Sequence, residues 1–255
     1  MRAKINQLSK IRVGIVNYLN TKPLLYGIEH SPVFNAIELF PDYPSNIASM
    51  LADNRIDIGL IPVAIIPDLH EAHVVTNYCI GSDGPVASVC LLSDVPIPEI
   101  KRVVLDYQSR TSALLVQILL EKYWHHDVLF VDSTDDFLDQ LKGDTATLVI
   151  GDRCLRHRTK VKYVYDLGEA WKDFTGLPFV FAAWVSNKKL PDEFIIEFNK
   201  ANQLGIASIE KVARENSVFY YDSLSYFTKN ISYLFDANKR KGMELFLRYC
   251  KQLIV

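Results

Sequence analysis

Val13-Gly14-Ile15-Val16-Asn17-Tyr18-Leu19-Asn20-Thr21-Lys22-Pro23-Leu24-Leu25 joins an apolar run to a polar, proline-marked turn, the mark of an α/β unit. Its apolar, β-branched start predicts a strand over Arg12–Val16. Asn17-Tyr18 ends that strand. Pro23 suits the first turn of a following helix, and Asn20 or Thr21 stands where a cap belongs. The loop then has two readings. It caps a helix and nothing more, or it lies at the carboxyl end of a strand, where α/β folds bind ligands. In the second case the exposed N–H groups of the helix start favour an anion.

The same alternation continues outward. Strands are predicted over Ala36–Phe40, Ile56–Leu60, Val74–Tyr78, Ala87–Leu92, Arg102–Leu105, Val128–Val131, Thr147–Ile150, Tyr163–Tyr165 and Phe179–Val185. Helices are predicted over Pro23–Glu29, Ser45–Asn54 (with Ser45 as cap), Ser112–Trp124, Thr134–Leu141, Leu167–Phe174 and a C-terminal set from Pro191. Strands that alternate with helices imply an α/β chain with largely parallel sheets. Ten strands divide more naturally into two sheets than one. The run Leu92-Ser93-Asp94-Val95-Pro96-Ile97-Pro98 is a proline-marked break, and Thr175–Pro178 is a second. We therefore expect one lobe from residues 1–92 plus 178–255, a second lobe inserted at 93–177, and a ligand cleft between them.

Composition bounds the function. With 255 residues, 49% of them hydrophobic, the chain can bury a large core. Its 28 Lys and Arg against 30 Asp and Glu give a net charge of −2, without the basic excess of a nucleic-acid protein. Cys79, Cys90, Cys154 and Cys250 form no C-x-x-C pair, so they read as buried, reduced thiols. The longest apolar run, Ile58 to Pro67, is too short to cross a membrane, which takes about 20 residues. No signal-peptide pattern precedes the first strand, so a cytoplasmic location is expected.

Dinucleotide, P-loop, zinc-protease and nucleophile-elbow motifs are all absent. His70 and His73 lack further ligands at suitable spacing, so no metal site is expected. What stands out instead is a set of polar turns that follow strands. Beside the first loop these are Gly81-Ser82-Asp83-Gly84-Pro85-Val86-Ala87-Ser88, Asp106-Tyr107-Gln108-Ser109-Arg110-Thr111-Ser112, Ile150-Gly151-Asp152 and Thr175-Gly176-Leu177-Pro178-Phe179. Ser82 and Ser88 can offer hydroxyls above the second turn. The third reads as an N-cap cluster or as an anion cradle aided by Arg110. Asp152 is a helix cap or a carboxylate in the cleft. The aromatic residues around the fifth segment read as core or as ligand platform. Two helix starts from two lobes that face one cleft would suit a small dianion.

In order along the chain, V-N-Y-L-N-T-K-P-L (16–24), G-P-V-A-S-V (84–89), S-R-T-S (109–112), I-G-D (150–152) and T-G-L-P-F-V (175–180) resemble the chorismate dehydratase family of the futalosine route to menaquinone. The resemblance spans about residues 11–250. It implies a periplasmic-binding-protein-like fold of type II, two α/β lobes with a cleft. It implies a hydro-lyase that removes water from chorismate to give 3-[(1-carboxyvinyl)oxy]benzoate, with no cofactor. By resemblance, Ser88, Asn20 and Asp152 are catalytic. Tyr18, Pro23, Ser82, Ser109, Thr111, Ser112, Thr175, Gly176 and Phe179 bind substrate. The sister enzyme that makes 1,4-dihydroxy-6-naphthoate shares the fold, but its Ser/Pro/Asn/Asp-rich N-terminal loop is not found here. The proton acceptor is either Asp152 or the substrate's own enolpyruvyl carboxylate. A cytosolic carboxylate-binding or sensing module of the same fold is the rival class. The only partner expected is the small-molecule substrate, with no nucleic acid and no membrane, in a monomer or homodimer. The aromatic C-terminal residues, Phe219, Tyr220, Tyr221, Tyr226, Phe227 and Tyr233, read as packing on the first lobe.

Overall fold

The computed structural model describes residues 10–106, 110–132 and 141–253. The helix expected over Thr134–Leu141 lies almost wholly outside them, and Ser109 lies outside them too. The chain runs β1 (Ile11–Val16), a 3-10 turn (Leu19–Thr21), α1 (Lys22–Glu29), β2 (Ile37–Asp42), α2 (Pro44–Ala52), β3 (Ile58–Pro62) and β4 (His73–Ser82). It continues as β5 (Val89–Ser93), β6 (Arg102–Leu105), α3 (Arg110–Lys122), β7 (Leu129–Asp132), β8 (Thr145–Ile150), α4 (Gly151–His157), β9 (Tyr163–Asp166) and α5 (Leu167–Thr175). It closes with β10 (Phe179–Ser186), α6 (Asp192–Ala207), α7 (Ile209–Glu215), a short α8 (Ser223–Ser225) running into a π-turn (Tyr226–Asn230), β11 (Ser232–Leu234) and α9 (Ala237–Leu253).

Two sheets result. One has the order β11-β4-β10-β3-β1-β2 and the other β7-β6-β8-β5-β9. The chain passes between them twice, once at residues 83–88 and once through α5 and the turn after it. β5 therefore pairs in the second sheet, with β8 and β9. The first crossing thus falls ahead of the proline run at 95–98 that suggested a boundary at 92/93. Those prolines instead start a 3-10 turn after β5.

The sheets are mixed, not largely parallel. β1 is parallel to β2 and β3, and β6 is parallel to β7 and β8. β10 is antiparallel to β3 and β4, β11 to β4, and β5 to β8 and β9. Hydrophobic strand content cannot report direction, because a strand buried on both faces reads the same either way. β3, β5 and β8 are buried along their whole lengths.

One core cluster joins both lobes. Its aromatic centre sets Trp171 against Phe179 (5.2 Å between centroids) and Phe246 (6.2 Å), with Phe179 also on Phe181 (4.6 Å). α9 of the first lobe thereby packs on α5 at the second crossing. Helices α1 and α6 cross at very close range. A Cβ on Gly205 would lie 1.8 Å from the Pro23 carbonyl oxygen, and one on Gly27 would lie 2.0 Å from that of Ala201. Ser45 is not a cap. Tyr43 is the N-cap residue of α2, and the Asp42 carboxylate accepts from the Tyr43 N–H and the Asn46 amide. Pro191 does precede α6, with Asp192 and Glu193 in its first turn, where acids suit the helix dipole.

Candidate functional site

Two loops at strand ends, one from each lobe, meet at a cavity between the sheets. β1 ends at Val16, and the 3-10 turn after it carries Asn20 and Thr21 to the cavity wall beside Tyr18. The Thr21 hydroxyl is turned back to the Val16 carbonyl (2.6 Å) and the Tyr18 carbonyl (2.7 Å), which ties the loop to its strand. From the second lobe come Val86 and Ser88, then Ile150 and Gly151 at the end of β8, then Ser112 in the first turn of α3. Leu60, Pro62, Ile80, Phe181 and Ala182 form an apolar floor from the first sheet. Together they surround about 540 Å³ of space free of atoms, mouth included.

Thr21 is the N-cap residue of α1, Gly151 opens α4 and Ser112 lies in the first turn of α3, so three helix starts border the cavity. Such starts carry partial positive charge, which suits carboxylates. Gly151 has φ +62° and its N–H donates to the Ser88 carbonyl at 2.7 Å. A Cβ there would lie 3.3 Å from the Tyr18 ring, so glycine lets that ring lie flat against the start of α4. Burial holds the Tyr18 phenol well above its usual range, and the charge of Asp106 adds to this. Asp106 is buried and pairs with Arg153 at 2.7 Å.

Ser88 is fixed from several sides. Asp166, the N-cap of α5, accepts from the Gly168 and Glu169 N–H groups. The same carboxylate reaches across to accept from Val86 N–H (3.0 Å) and Ala87 N–H (2.7 Å). That grip holds Ala87 at φ +63°, a conformation an L residue keeps only when its surroundings impose it. Burial raises the Asp166 carboxyl, opposed by these N–H bonds. The next side chain, Ser88, turns to the cavity and accepts from the Tyr226 hydroxyl at 2.7 Å.

Of the residues the sequence singled out, Tyr18, Asn20, Ser88 and Ser112 share the cavity wall. The Asn20 amide oxygen is buried and has no hydrogen-bond partner among the described residues. The others stand elsewhere. Asp152 accepts the Leu19 N–H at 3.1 Å, so α4 of one lobe holds the first loop of the other. Burial pushes its carboxyl up, and the Leu19 bond works against that. Thr111 accepts from the Ala64 N–H at 3.1 Å, a second tie between lobes. Pro23 is buried at the α1–α6 crossing. Ser82 is buried against Gly168. Thr175 donates to the Trp171 carbonyl, Gly176 ends α5 at φ +72°, and Phe179 is core. The crossover is thus a helix stop and a packing centre, set apart from the cavity wall. Arg110 pairs with Asp68, and Asp83 pairs with Lys172, so neither charge lines the cavity.

Sequence reading missed Tyr226, Arg153 and Asp166. Tyr226 lies 138 residues from Ser88, among 13 tyrosines, and no local pattern marks it. Asp166 could have been found: an aspartate directly before a helical pattern is a cap signal.

The sequence pattern of a family described as menaquinone biosynthesis matches residues 11–252. The chain belongs to that family. Among its relatives is the chorismate dehydratase of Thermus thermophilus, 23% identical over 223 residues and covering 79% of each chain. That of Campylobacter jejuni is 22% identical over 245 residues, covering 94% of this chain and 97% of its own. A solved protein of Archaeoglobus fulgidus superposes with a TM-score of 0.75 at 15% identity, covering 96% of this chain and 98% of its own. The periplasmic aliphatic sulphonate-binding protein of Escherichia coli, 14% identical with a TM-score of 0.56 and covering 96% of this chain and 93% of its own, shares the same two-lobed α/β architecture. Within the family's shared fold, both loops of the cavity wall fall inside the matched residues. No helix among the described residues is long and apolar enough to cross a membrane, and no cluster among them could hold a metal ion.

Proposed function

We propose that the protein is a chorismate dehydratase, removing water from chorismate to give 3-[(1-carboxyvinyl)oxy]benzoate for menaquinone synthesis. The observation that carries this reading is the cavity wall, where Tyr18, Asn20, Ser88 and Ser112 meet three helix starts over an apolar floor. Chorismate has two carboxylates, one hydroxyl and an apolar ring face. Helix starts suit the carboxylates, and the floor suits the ring. The unpartnered Asn20 amide oxygen needs a donor, which the ring hydroxyl supplies.

The reaction breaks the C–H bond at ring carbon 3 and the C–O bond at ring carbon 4. The electron pair of the first bond moves into the ring, conjugated with the ring carboxylate as a dienolate. It then returns to form the third ring double bond as hydroxide leaves and takes up a proton to become water. The product is aromatic, so the step is downhill and the enzyme need only lower its barrier. Donors fixed near the ring carboxylate stabilise the charge that develops there.

No histidine or lysine among the described residues lines the cavity. Asp152, the candidate base, faces Leu19 instead. This supports proton removal by the substrate's own enolpyruvyl carboxylate, held in reach of carbon 3 by Ser88 and Asn20. Holding reacting groups in place can supply much of a barrier reduction by itself. Four free, buried cysteines fit a reducing compartment, and we place the reaction in the cytoplasm. Incubation of the purified protein with chorismate should yield a product lighter by one water, with the ultraviolet absorbance of a benzoate. Binding of chorismate without turnover would instead make the protein a sensing module.

A further inference from the structure

Tyr226 is the largest fully buried titratable side chain among the described residues, and the reaction scheme leaves it unused. It sits in the π-turn after α8, wholly buried, and is not part of the cavity wall. Its hydroxyl lies 2.7 Å from the Ser88 Oγ. A buried phenol must place its proton on an acceptor, and Ser88 Oγ is its acceptor in the structure. If Ser88 donated to Tyr226, the phenol proton would have nowhere to go. So Tyr226 donates and Ser88 accepts.

That direction constrains Ser88. A serine hydroxyl has one proton. The protein acceptor for it is the Val86 carbonyl at 3.5 Å, at the limit of a hydrogen bond. Ser88 borders the cavity, so its proton is available to an oxygen of a bound ligand. Donation from Tyr226 polarises the Ser88 O–H and strengthens its own donation, as chained hydrogen bonds do in a low-dielectric interior. Burial keeps the phenol protonated, with the Ser88 bond opposing that effect.

We propose that Tyr226 is a positioning residue that sets Ser88 as a hydrogen-bond donor to a substrate oxygen, in a relay Tyr226→Ser88→ligand. The inference rests on the dehydratase reading, because it assigns the relay to a substrate carboxylate. It also makes Ser88 a donor, because one of its lone pairs accepts from the phenol and its proton has only the distant Val86 carbonyl as an acceptor in the protein.

The test is a cycle of four proteins, wild type, Tyr226→Phe, Ser88→Ala and the double variant, with kcat and KM for chorismate and a melting temperature for each. Loss of the relay should lower kcat of Tyr226→Phe about tenfold, the effect of about 1.4 kcal/mol, with a much smaller change in KM. The double variant should match Ser88→Ala, since the phenol acts only through that serine. A wild-type kcat in Tyr226→Phe, or a double-variant loss equal to the product of the two single losses, overturns the relay. If Tyr226→Phe fails to fold, site-specific 3-fluorotyrosine at 226 keeps the ring and the hydroxyl with a more acidic phenol. It should raise kcat, and an unchanged kcat overturns the relay. A wild-type protein that leaves chorismate intact overturns the dehydratase reading and the relay together. An active wild type with an indifferent Tyr226→Phe overturns the relay alone.

Discussion

Replacing Asp152 separates a latch from a base. The Asp152 carboxylate accepts the Leu19 N–H at 3.1 Å, and Leu19 opens the turn that carries Asn20 and Thr21 to the cavity. A hydrogen bond to a charged group contributes about 1.5–3 kcal/mol, and partial exposure places this one near the lower end. Asp152→Ala removes it, shifting the lobes toward an open arrangement by about 1.5 kcal/mol, or roughly tenfold in the closed-to-open ratio. KM for chorismate should rise about tenfold, with kcat changed less. Asp152→Asn keeps an oxygen that can accept the Leu19 N–H, so its KM should rise less than that of Asp152→Ala and its kcat should stay within a few-fold of wild type. Steady-state kinetics on both variants, followed by the absorbance of the aromatic product, reads the difference. A fall in kcat of several orders in Asp152→Asn, with KM unchanged, would refute the latch and make Asp152 the base.

Asp57 should govern acid stability. Its burial opposes ionisation, but Arg12 and Lys188 hydrogen bonds outweigh this and hold the carboxyl well below its usual range. The stability it contributes is therefore full above the unfolded carboxyl pKa, about 3.9, and lost as pH falls through the lower folded value. Melting temperature against pH should fall less steeply below about pH 4 in Asp57→Asn than in wild type, and parallel curves would contradict this. Gly205→Ala forces a Cβ to 1.8 Å from the Pro23 carbonyl, so α1 and α6 must separate. Urea unfolding should show a loss of about 2 kcal/mol or more, against less than about 1 kcal/mol for a surface Ala substitution. Phe179→Leu should cost about 1–3 kcal/mol from the aromatic centre while leaving KM for chorismate within twofold. A KM raised tenfold with unchanged stability would return Phe179 to the binding wall.

The alternation of strands and helices was legible because periodicity and turn chemistry are local. The two-lobe division was legible in outline, since the Thr175–Pro178 break does mark a crossing. The first crossing was misplaced because Pro96 and Pro98 are louder than the loop at 83–88. That loop reverses through Gly84 at φ +113° and Ala87 at φ +63°, and only the glycine advertises such a backbone in sequence. Strand direction was not legible, because β10 returns from the second lobe to pair antiparallel with β3 and β4. The cavity wall was read in part. Tyr18, Asn20, Ser88 and Ser112 follow strands, where ligand loops are expected. Pro23 and Phe179 also neighbour such loops, but their burial in a helix crossing and in the core depends on partners far along the chain, while half-buried Thr175 and exposed Gly176 close the local end of α5. The Tyr226–Ser88 bond joins residues brought together only by the tertiary fold.

As a proposed dehydratase, the protein removes water from chorismate and keeps the enolpyruvyl group. Proton NMR of chorismate during incubation with the purified protein tests it most directly. The ring carbinol signal should disappear, a 1,3-disubstituted aromatic ring should grow in, and both vinyl protons should persist at equal integral. An unchanged spectrum would contradict it. So would free pyruvate beside 4-hydroxybenzoate, in which the hydroxyl survives and the enolpyruvyl group is lost.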